Sequence, residues 1–464
     1  MTLFFPPCPF QKRLELQESK LFQKGWDPRK RPVYRDYDAQ GLANRYKVLS
    51  YCLLDCTRMG SLPKESKTAG ADIFIAGSGP VGCTFARTIL DRAEAAGKRI
   101  HIYMADVGSI DGPHVIDAAL QKVSVAGKEN RYSPYYNPNQ KEALNVPDCA
   151  MTRTIGGMGT HWTCACPRPE PGERTESPLS KGEFDSLLKK AEDLLQVRDD
   201  QYDDQIRHIK VKKHLEESYD FKGRIRDLPL AVKRDENHCV TFGGPNTILG
   251  KWAEPANCCT DPDCKKNCLF SLRAEHKVIK LKCRRMSNFS YANEAVLLNL
   301  RNNELVTVVF NACVIALGAI GTPQLLLNSD GIEADTIPSL GRHLSEQSLW
   351  TCQVWLYRSG TLLLFPFTRK EDDHEMVEDM KRAASVLGEI IDPSEPKQQG
   401  TTRIGRGGKD CEQHSVADEN SLVHNWTNLY VGGNGVIPDA TACNPTLTSV
   451  AYAIKSAEFI ASTH

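Results

Sequence analysis

An α/β architecture organised round a parallel βαβ unit is predicted by three stretches of the 464-residue chain. Ala71-Asp72-Ile73-Phe74-Ile75-Ala76 is a short apolar run ending in glycines, the pattern of a buried strand. Cys83 to Ala96 reads as a helix, and Ile100 to Ala105 is a second apolar run closed by Asp106. Strand, turn, helix and strand in about 35 residues is the unit on which dinucleotide-binding folds are built.

The rest of the chain is compatible with that reading. Hydrophobic residues at 41% and charged ones at 25% suit a globular protein of roughly two to four domains. Lys plus Arg equals Asp plus Glu at 58 each, so nothing favours nucleic acid or an anionic membrane surface. No apolar run approaches the roughly 20 residues that span a bilayer. The count of 17 cysteines is high, but Met1 to Phe5 is a short apolar patch broken by Pro6, Pro7 and Pro9, not an export signal. The expectation is a cytoplasmic protein with reduced thiols.

Residues 1–69 are polar and aperiodic and read as an N-terminal arm. A helix is expected over 180–196. Ser180-Lys181-Gly182-Glu183 forms a capping box, and Phe184, Leu187, Leu188, Ala191, Leu194 and Leu195 lie on one face. A second helix is expected over 372–387, and strands at Ala295–Leu300, Leu305–Val309 and Ala312–Leu317.

Gly77-Ser78-Gly79-Pro80-Val81-Gly82 is a GxGxxG between the first strand and its helix. Gly77 allows the tight turn, Gly79 lets the backbone approach a pyrophosphate, and Gly82 lets helix and strand pack closely. Asp106, at the end of the next strand, is placed to accept a hydrogen bond from a ribose hydroxyl. A ligand-free glycine turn is the bland alternative, and the βαβ context disfavours it.

Two further motifs separate a flavin from a nicotinamide cofactor. Met151 to Thr163, reading MTRTIGGMGTHWT and continuing CACP, is rich in small residues that let backbone lie against a flat ring, and presents His161 and Thr163. Near the C-terminus, Leu429-Tyr430-Val431 runs into Gly432-Gly433-Asn434, and a helix is expected with Asn444 as N-cap and Pro445 at N1. That helix N-terminus would face negative charge on a reduced flavin. Gly433, Asn434, Pro445 and Thr446 are therefore read as cofactor-binding.

On the THWTC and Asn444-Pro445-Thr446-Leu447-Thr448 motifs the sequence resembles the glucose-methanol-choline (GMC) oxidoreductases, and among them the pyranose 2-oxidases. Weaker matches lie at Val314–Leu326 and Leu340–Ser348, and the resemblance covers roughly residues 70–464 in pieces. It implies a discontinuous Rossmann-like FAD-binding domain (70–165, 255–330 and 400–464) and a smaller α+β substrate domain (166–254 and 331–399). It implies FAD carried covalently on His161, Thr163 near the flavin N5, and Asn444 bonding the substrate hydroxyl. The implied activity is oxidation of an alcohol carbon of a sugar-like small molecule, with oxygen or a quinone as electron acceptor. The short form also resembles flavin oxidoreductases of fungal specialised metabolism, with kojic-acid biosynthesis as one setting. A catalytically altered flavin-binding partner and an NAD(P)-dependent dehydrogenase are the alternatives.

Three departures stand out. Where the family reads GTHRMG, this chain has Gly400-Thr401-Thr402-Arg403-Ile404-Gly405, so Thr402 replaces a histidine that serves as base. Thr402 cannot accept a proton near neutral pH, and His414, His424 or a substrate carboxylate is left to do so. Between Trp355 and Thr361 a large segment of the pyranose oxidases is missing. Cys258, Cys259, Cys264 and Cys268 form a cluster outside the family pattern; its spacing is no standard zinc motif, so free or paired thiols are preferred to a metal site.

Overall fold

A computed structural model describes residues 65–108, 155–160, 162–217, 222–223, 225–236, 240–254, 257–259, 269–286, 289–300, 302, 304–332, 337–343, 345–347, 349–355, 361–366, 389–390, 397–399, 401–405, 413–439, 441 and 443–464. In chain order the first elements are β1 (Glu65–Ala76), α1 (Pro80–Ala95), β2 (Ile102–Ala105), α2 (Lys181–Leu195), α3 (Ile206–Glu217), β3 (Val232–Arg234), β4 (Val240–Phe242) and α4 (Pro245–Leu249). Then come β5 (Cys258–Cys259), β6 (Phe270–Arg273), β7 (His276–Arg285), β8 (Ser290–Asn299), β9 (Leu305–Ile315) and α5 (Gly318–Leu327). The last are β10 (Ser345–Gln347), β11 (Leu349–Trp355), β12 (Thr361–Pro366), β13 (Glu389–Ile390), β14 (Lys397–Gln399), β15 (Leu429–Val431) and α6 (Thr446–Thr463).

The main sheet runs β5-β6-β2-β1-β9-β8-β7, with β15 added beside β9. β1 pairs in parallel with β2 on one side and with β9 on the other. β9 is one strand where the sequence predicts two, because β1 pairs with it from Leu305 to Ile315 and carries it through the expected break. Its far edge is shared. Leu305 to Val309 pair antiparallel with β8, and Cys313 to Ile315 pair in parallel with β15. The rings of Phe74 and Phe310 stack at 5.6 Å where β1 meets β9. Three small antiparallel groups complete the described strands: β12-β11-β13, β10-β14 and β3-β4.

Helix α1 starts at Pro80, three residues before the expected start, because proline at the first helical position is already set for helical φ. Helix α6 packs on α1 and on α2. Leu447, Val450, Ala451, Ile454 and Ala457 are buried along one face, and Thr448, Ser449, Tyr452 and Ser456 are buried too. Small residues let neighbours close on this helix from several sides. α2 lies in the stretch expected to form the smaller domain, yet Phe184 stacks on Tyr452 at 5.2 Å and Ser177 Oγ lies 2.9 Å from Tyr452 OH. The Ser180 cap forms as predicted, its hydroxyl accepting from Glu183 N. Glu183 does not close the box, because Lys455 Nζ donates to it at 2.6 Å.

The start of α6 differs from expectation by one residue. Pro445, with φ −78° and ψ −10°, occupies the N-cap and its carbonyl accepts from Ser449 N, so Asn444 lies just outside the helix. The expected helix at 372–387 and Cys264 and Cys268 lie outside the described residues, while Cys258 and Cys259 form the edge strand β5. Among the described residues, no helix is long and apolar enough to cross a membrane.

Candidate active site

The strand register assembles the site. Ala76 is level with Ala105 and with Ile315, Ile315 with Val431, and Ala105 with Arg273. The parallel strands β6, β2, β1, β9 and β15 therefore end together, and the residues after them share one edge. Gly77 N donates to the Ala105 carbonyl, Ala316 N to that of Ala76, and Gly432 N to that of Ile315, each at 2.8–2.9 Å. In open α/β sheets this carboxyl edge, where strands leave β1 in both directions, is where ligands sit.

At the centre, Gly77 has φ +99°, and any Cβ there would strike the Ala316 carbonyl. A Cβ on Gly82 would collide with the Gly77 carbonyl, whereas one on Gly79 would meet nothing within 4 Å. The sequence roles of the three glycines thus separate physically. Gly77 and Gly82 are required by protein packing, and Gly79 faces open space at the helix end. α1 has no side-chain cap and no acidic residue in its first turn. Cys83 N closes the first turn on Gly79 O, so the N–H groups of Val81 and Gly82 remain for an anion.

Asp106 is buried beside this turn. Its Oδ2 accepts from Ser78 N (2.8 Å) and Ser78 Oγ (2.7 Å), and its Oδ1 from Gly108 N (2.7 Å). Burial pushes its carboxyl above the usual range, and these donors oppose the shift. Oδ1 keeps acceptor capacity for a ribose hydroxyl. Ser78, a motif position left unassigned by the sequence reading, also accepts from Gly156 N at 2.8 Å. This ties the turn Ile155–Thr160 to the cradle. His161, next along, lies outside the described residues. Thr163 is exposed, and between them Trp162 Nε1 donates to the Gly243 carbonyl at 2.8 Å. Cys164 follows with φ +59° in a buried position, its thiol pushed up to about 11 by burial.

At the other end, Gly433 has φ +105° and faces Gly318 across the edge; a Cβ on Gly433 would lie 3.4 Å from the Gly318 Cα, while Gly318 itself looks onto open space. Sequence reasoning ranked the Gly318 stretch as a weak match, and its role is visible only across the sheet. Asn434 Oδ1 accepts from Ser449 Oγ at 2.8 Å, which holds the turn on α6. Pro445 is buried, Asn444 and Thr446 are half-buried, and the α6 N-terminus carries no side-chain cap or first-turn acid. Thr402 is fully buried, its N–H donating to the Gly435 carbonyl, and its hydroxyl has no partner among the described residues. The neighbouring Thr401 hydroxyl donates to Ala319 O. Thr448, in the first turn of α6, is a second buried hydroxyl without a described partner. His414 is exposed; it and Arg403 both act on the charge of His343, which burial holds below its usual range. His424 Nε2 is 2.7 Å from Ser415 Oγ.

A family model described as GMC oxidoreductase matches residues 363–453. Pyranose 2-oxidase of Tricholoma matsutake is 33% identical, over 84% of this chain and 93% of that protein. The chain belongs to the GMC oxidoreductases.

This GMC oxidoreductase is also similar to the C-glycoside 3-oxidase of Microbacterium trichothecenolyticum, at 26% identity over 85% of the chain and 97% of the relative. The alignment with the Tricholoma protein spans 553 residues against a chain of 464, so the relative has segments that this chain lacks. Among solved structures, formate oxidase superposes with a TM-score of 0.58 at 12% identity, covering 86% of this chain and 99% of that one. Pyridoxine 4-oxidase from Mesorbium loti gives 0.55 at 14%, covering 85% and 100%. At such identities the likeness shows the fold alone. The enzyme is an FAD-dependent oxidoreductase acting on CH–OH groups, which removes the NAD(P)-dependent alternative. The residues fit that cofactor: open space over Gly79, an uncapped α1 N-terminus, a buried acceptor at Asp106, and Gly433 and Gly318 facing each other further along the edge.

Proposed function

We propose that this enzyme oxidises a secondary alcohol carbon of a sugar or sugar-like metabolite, with oxygen or a quinone as final electron acceptor. The carrying observation is the match along 84–85% of the chain to relatives named pyranose 2-oxidase and C-glycoside 3-oxidase. Bound FAD supplies the hydride acceptor. Gly77, Gly79, Gly82 and Asp106 hold its ADP half, and Gly433, Asn434, Pro445 and Thr446 border its ring. His161 is the covalent anchor in this reading, with Thr163 beside the ring. Asn444 orients the substrate hydroxyl, since its amide both donates and accepts. Thr402 is buried behind that end without acting as base, and His414, His424 or a substrate carboxylate takes the proton. The FAD-binding domain then comprises 70–165, 255–330 and 400–464, whose described strands share the main sheet, and the smaller domain 166–254 and 331–399. The narrower setting is a cytoplasmic step of fungal specialised metabolism such as kojic-acid biosynthesis.

A second reading has one observation in its favour. Thr402 stands where the family has its base and is sealed from solvent, as in a flavoprotein that has lost alcohol oxidation and serves as a pathway partner. Anaerobic mixing with a panel of pyranoses and C-glycosides separates the two. Bleaching of the flavin by at least one sugar is expected, and no bleaching by any of them would leave the second reading. Acid precipitation tests the His161 anchor: flavin should remain with the protein, on the peptide that contains His161.

A further inference from the structure

Asp106 and the turn Ile155–Thr160 are separated by about fifty residues of sequence, of which 109–154 lie outside the described residues. One side chain joins them. Ser78 Oγ donates its proton to Asp106 Oδ2 at 2.7 Å and accepts from Gly156 N at 2.8 Å, while Ser78 N donates to the same Oδ2 at 2.8 Å. Ser78 is 1% exposed and Asp106 8%, so water does not substitute readily for either bond. The result is a directed chain, Gly156 N–H to Ser78 O–H to Asp106 carboxylate, in which each bond polarises the next. Packing brings the same pieces close a second time, because a Cβ on Gly157 would sit 3.2 Å from the Gly79 Cα and one on Gly159 2.8 Å from Pro80 Cγ. The turn rests on the first residues of the nucleotide cradle, and Ser78 is its hydrogen-bonded fastening.

We propose that Ser78 is a positioning residue that couples the ribose-binding carboxylate of Asp106 to the turn that leads into His161. The turn that leads into His161 is thereby held against the glycine cradle. The GxGxxG pattern leaves this position free, and the hydroxyl is needed for two partners at once. Alanine would leave Gly156 N–H without its acceptor and remove the one side-chain donor to Asp106 among those described. The inference rests on FAD binding by this enzyme and is independent of the substrate.

The test uses the flavoprotein as purified, with Ser78→Ala and the hydroxyl-retaining Ser78→Thr. The readouts are flavin per protein, FAD dissociation or the acid-released fraction, and hydrogen exchange of a peptide spanning 155–160. In Ser78→Ala, loss of partners for buried groups should weaken flavin retention by about five- to a hundredfold and speed exchange at Gly156 by a similar factor. Peptides from β9 and α6 should keep their wild-type rates. Ser78→Thr, if its added methyl is accommodated, should restore slow exchange at Gly156. Wild-type exchange in 155–160 together with full flavin in Ser78→Ala would overturn the proposal, as would faster exchange spread equally over β9 and α6. A chain that retains no flavin even in its wild-type form would instead count against the cofactor assignment. Should Ser78→Thr fail to fold, Ser78→Cys with its weaker acceptor should give an intermediate exchange rate, and an alanine-like or wild-type rate there would count against the coupling.

Discussion

At the nucleotide end of the site, Ser78, Asp106, Gly108 and Gly156 exchange a closed set of short hydrogen bonds deep in the protein. Near Gly435 and in the first turn of α6, Thr402 and Thr448 bury hydroxyls that have no described partner. A buried polar group without a partner costs about 1–3 kcal/mol. The contrast therefore carries functional information. At the first end the polar groups are satisfied by the protein itself. The second end carries two hydroxyls buried at that cost and sealed from solvent.

The largest effects should come from the end that is already complete. Gly82→Ala drives a methyl into the Gly77 carbonyl; a loss of about 3 kcal/mol in stability and of all bound flavin is expected in denaturant titrations and absorbance spectra. Gly79→Val sharpens the point, because nothing in the protein opposes its Cβ. It should fold with a near wild-type melting temperature yet carry little flavin. A folded Gly79→Val protein with full flavin would remove the pyrophosphate from this helix end.

At the open end, Asn444→Ala should slow flavin reduction by sugar about 100-fold with flavin content unchanged, the usual loss for one positioned donor in a reacting site. Thr402→Val replaces an unpartnered hydroxyl with a methyl of similar shape. It should leave stability equal or raise it by about 1 kcal/mol, with a smaller effect on reduction than Asn444→Ala. If Thr402→Val proves as slow as Asn444→Ala at full flavin content, its hydroxyl touches the substrate, and the two ends differ less than the hydrogen bonds suggest.

The smallest expected effect lies away from both ends, at the N-terminal end of β2. Burial lowers the pKa of His101 from 6.5, and its Nε2 is 3.0 Å from Ser271 Oγ. The unfolded chain then takes up the proton first, so stability falls as pH drops through about 6.5 and stops falling below the folded value. Melting temperatures between pH 8 and 5.5 should decline less in His101→Gln than in the wild type. Parallel declines would show that His101 does not report on this end of the sheet.

The parts of this enzyme legible in the sequence are those whose physics is local. A GxGxxG between an apolar strand and a helix must turn tightly, and Gly77, Gly82 and α1 follow from a few consecutive residues. The Ser180 cap, the buried face of α6 and the acidic end of β2 were legible for the same reason. Helix limits were less so, since Pro445 and not Asn444 caps α6 once Ser449 N closes on its carbonyl. The sequence alone thus determined the α/β class, the glycine turn between β1 and α1, and the motifs of a flavin enzyme. Only the tertiary structure decided that β9 runs unbroken because β1 pairs along its whole length. It alone joined Ser78 to both Asp106 and Gly156, and sealed the Thr402 hydroxyl beneath Gly435. Each of these depends on which distant backbone lies alongside. Strand register and burial set that neighbour, and no local periodicity encodes it.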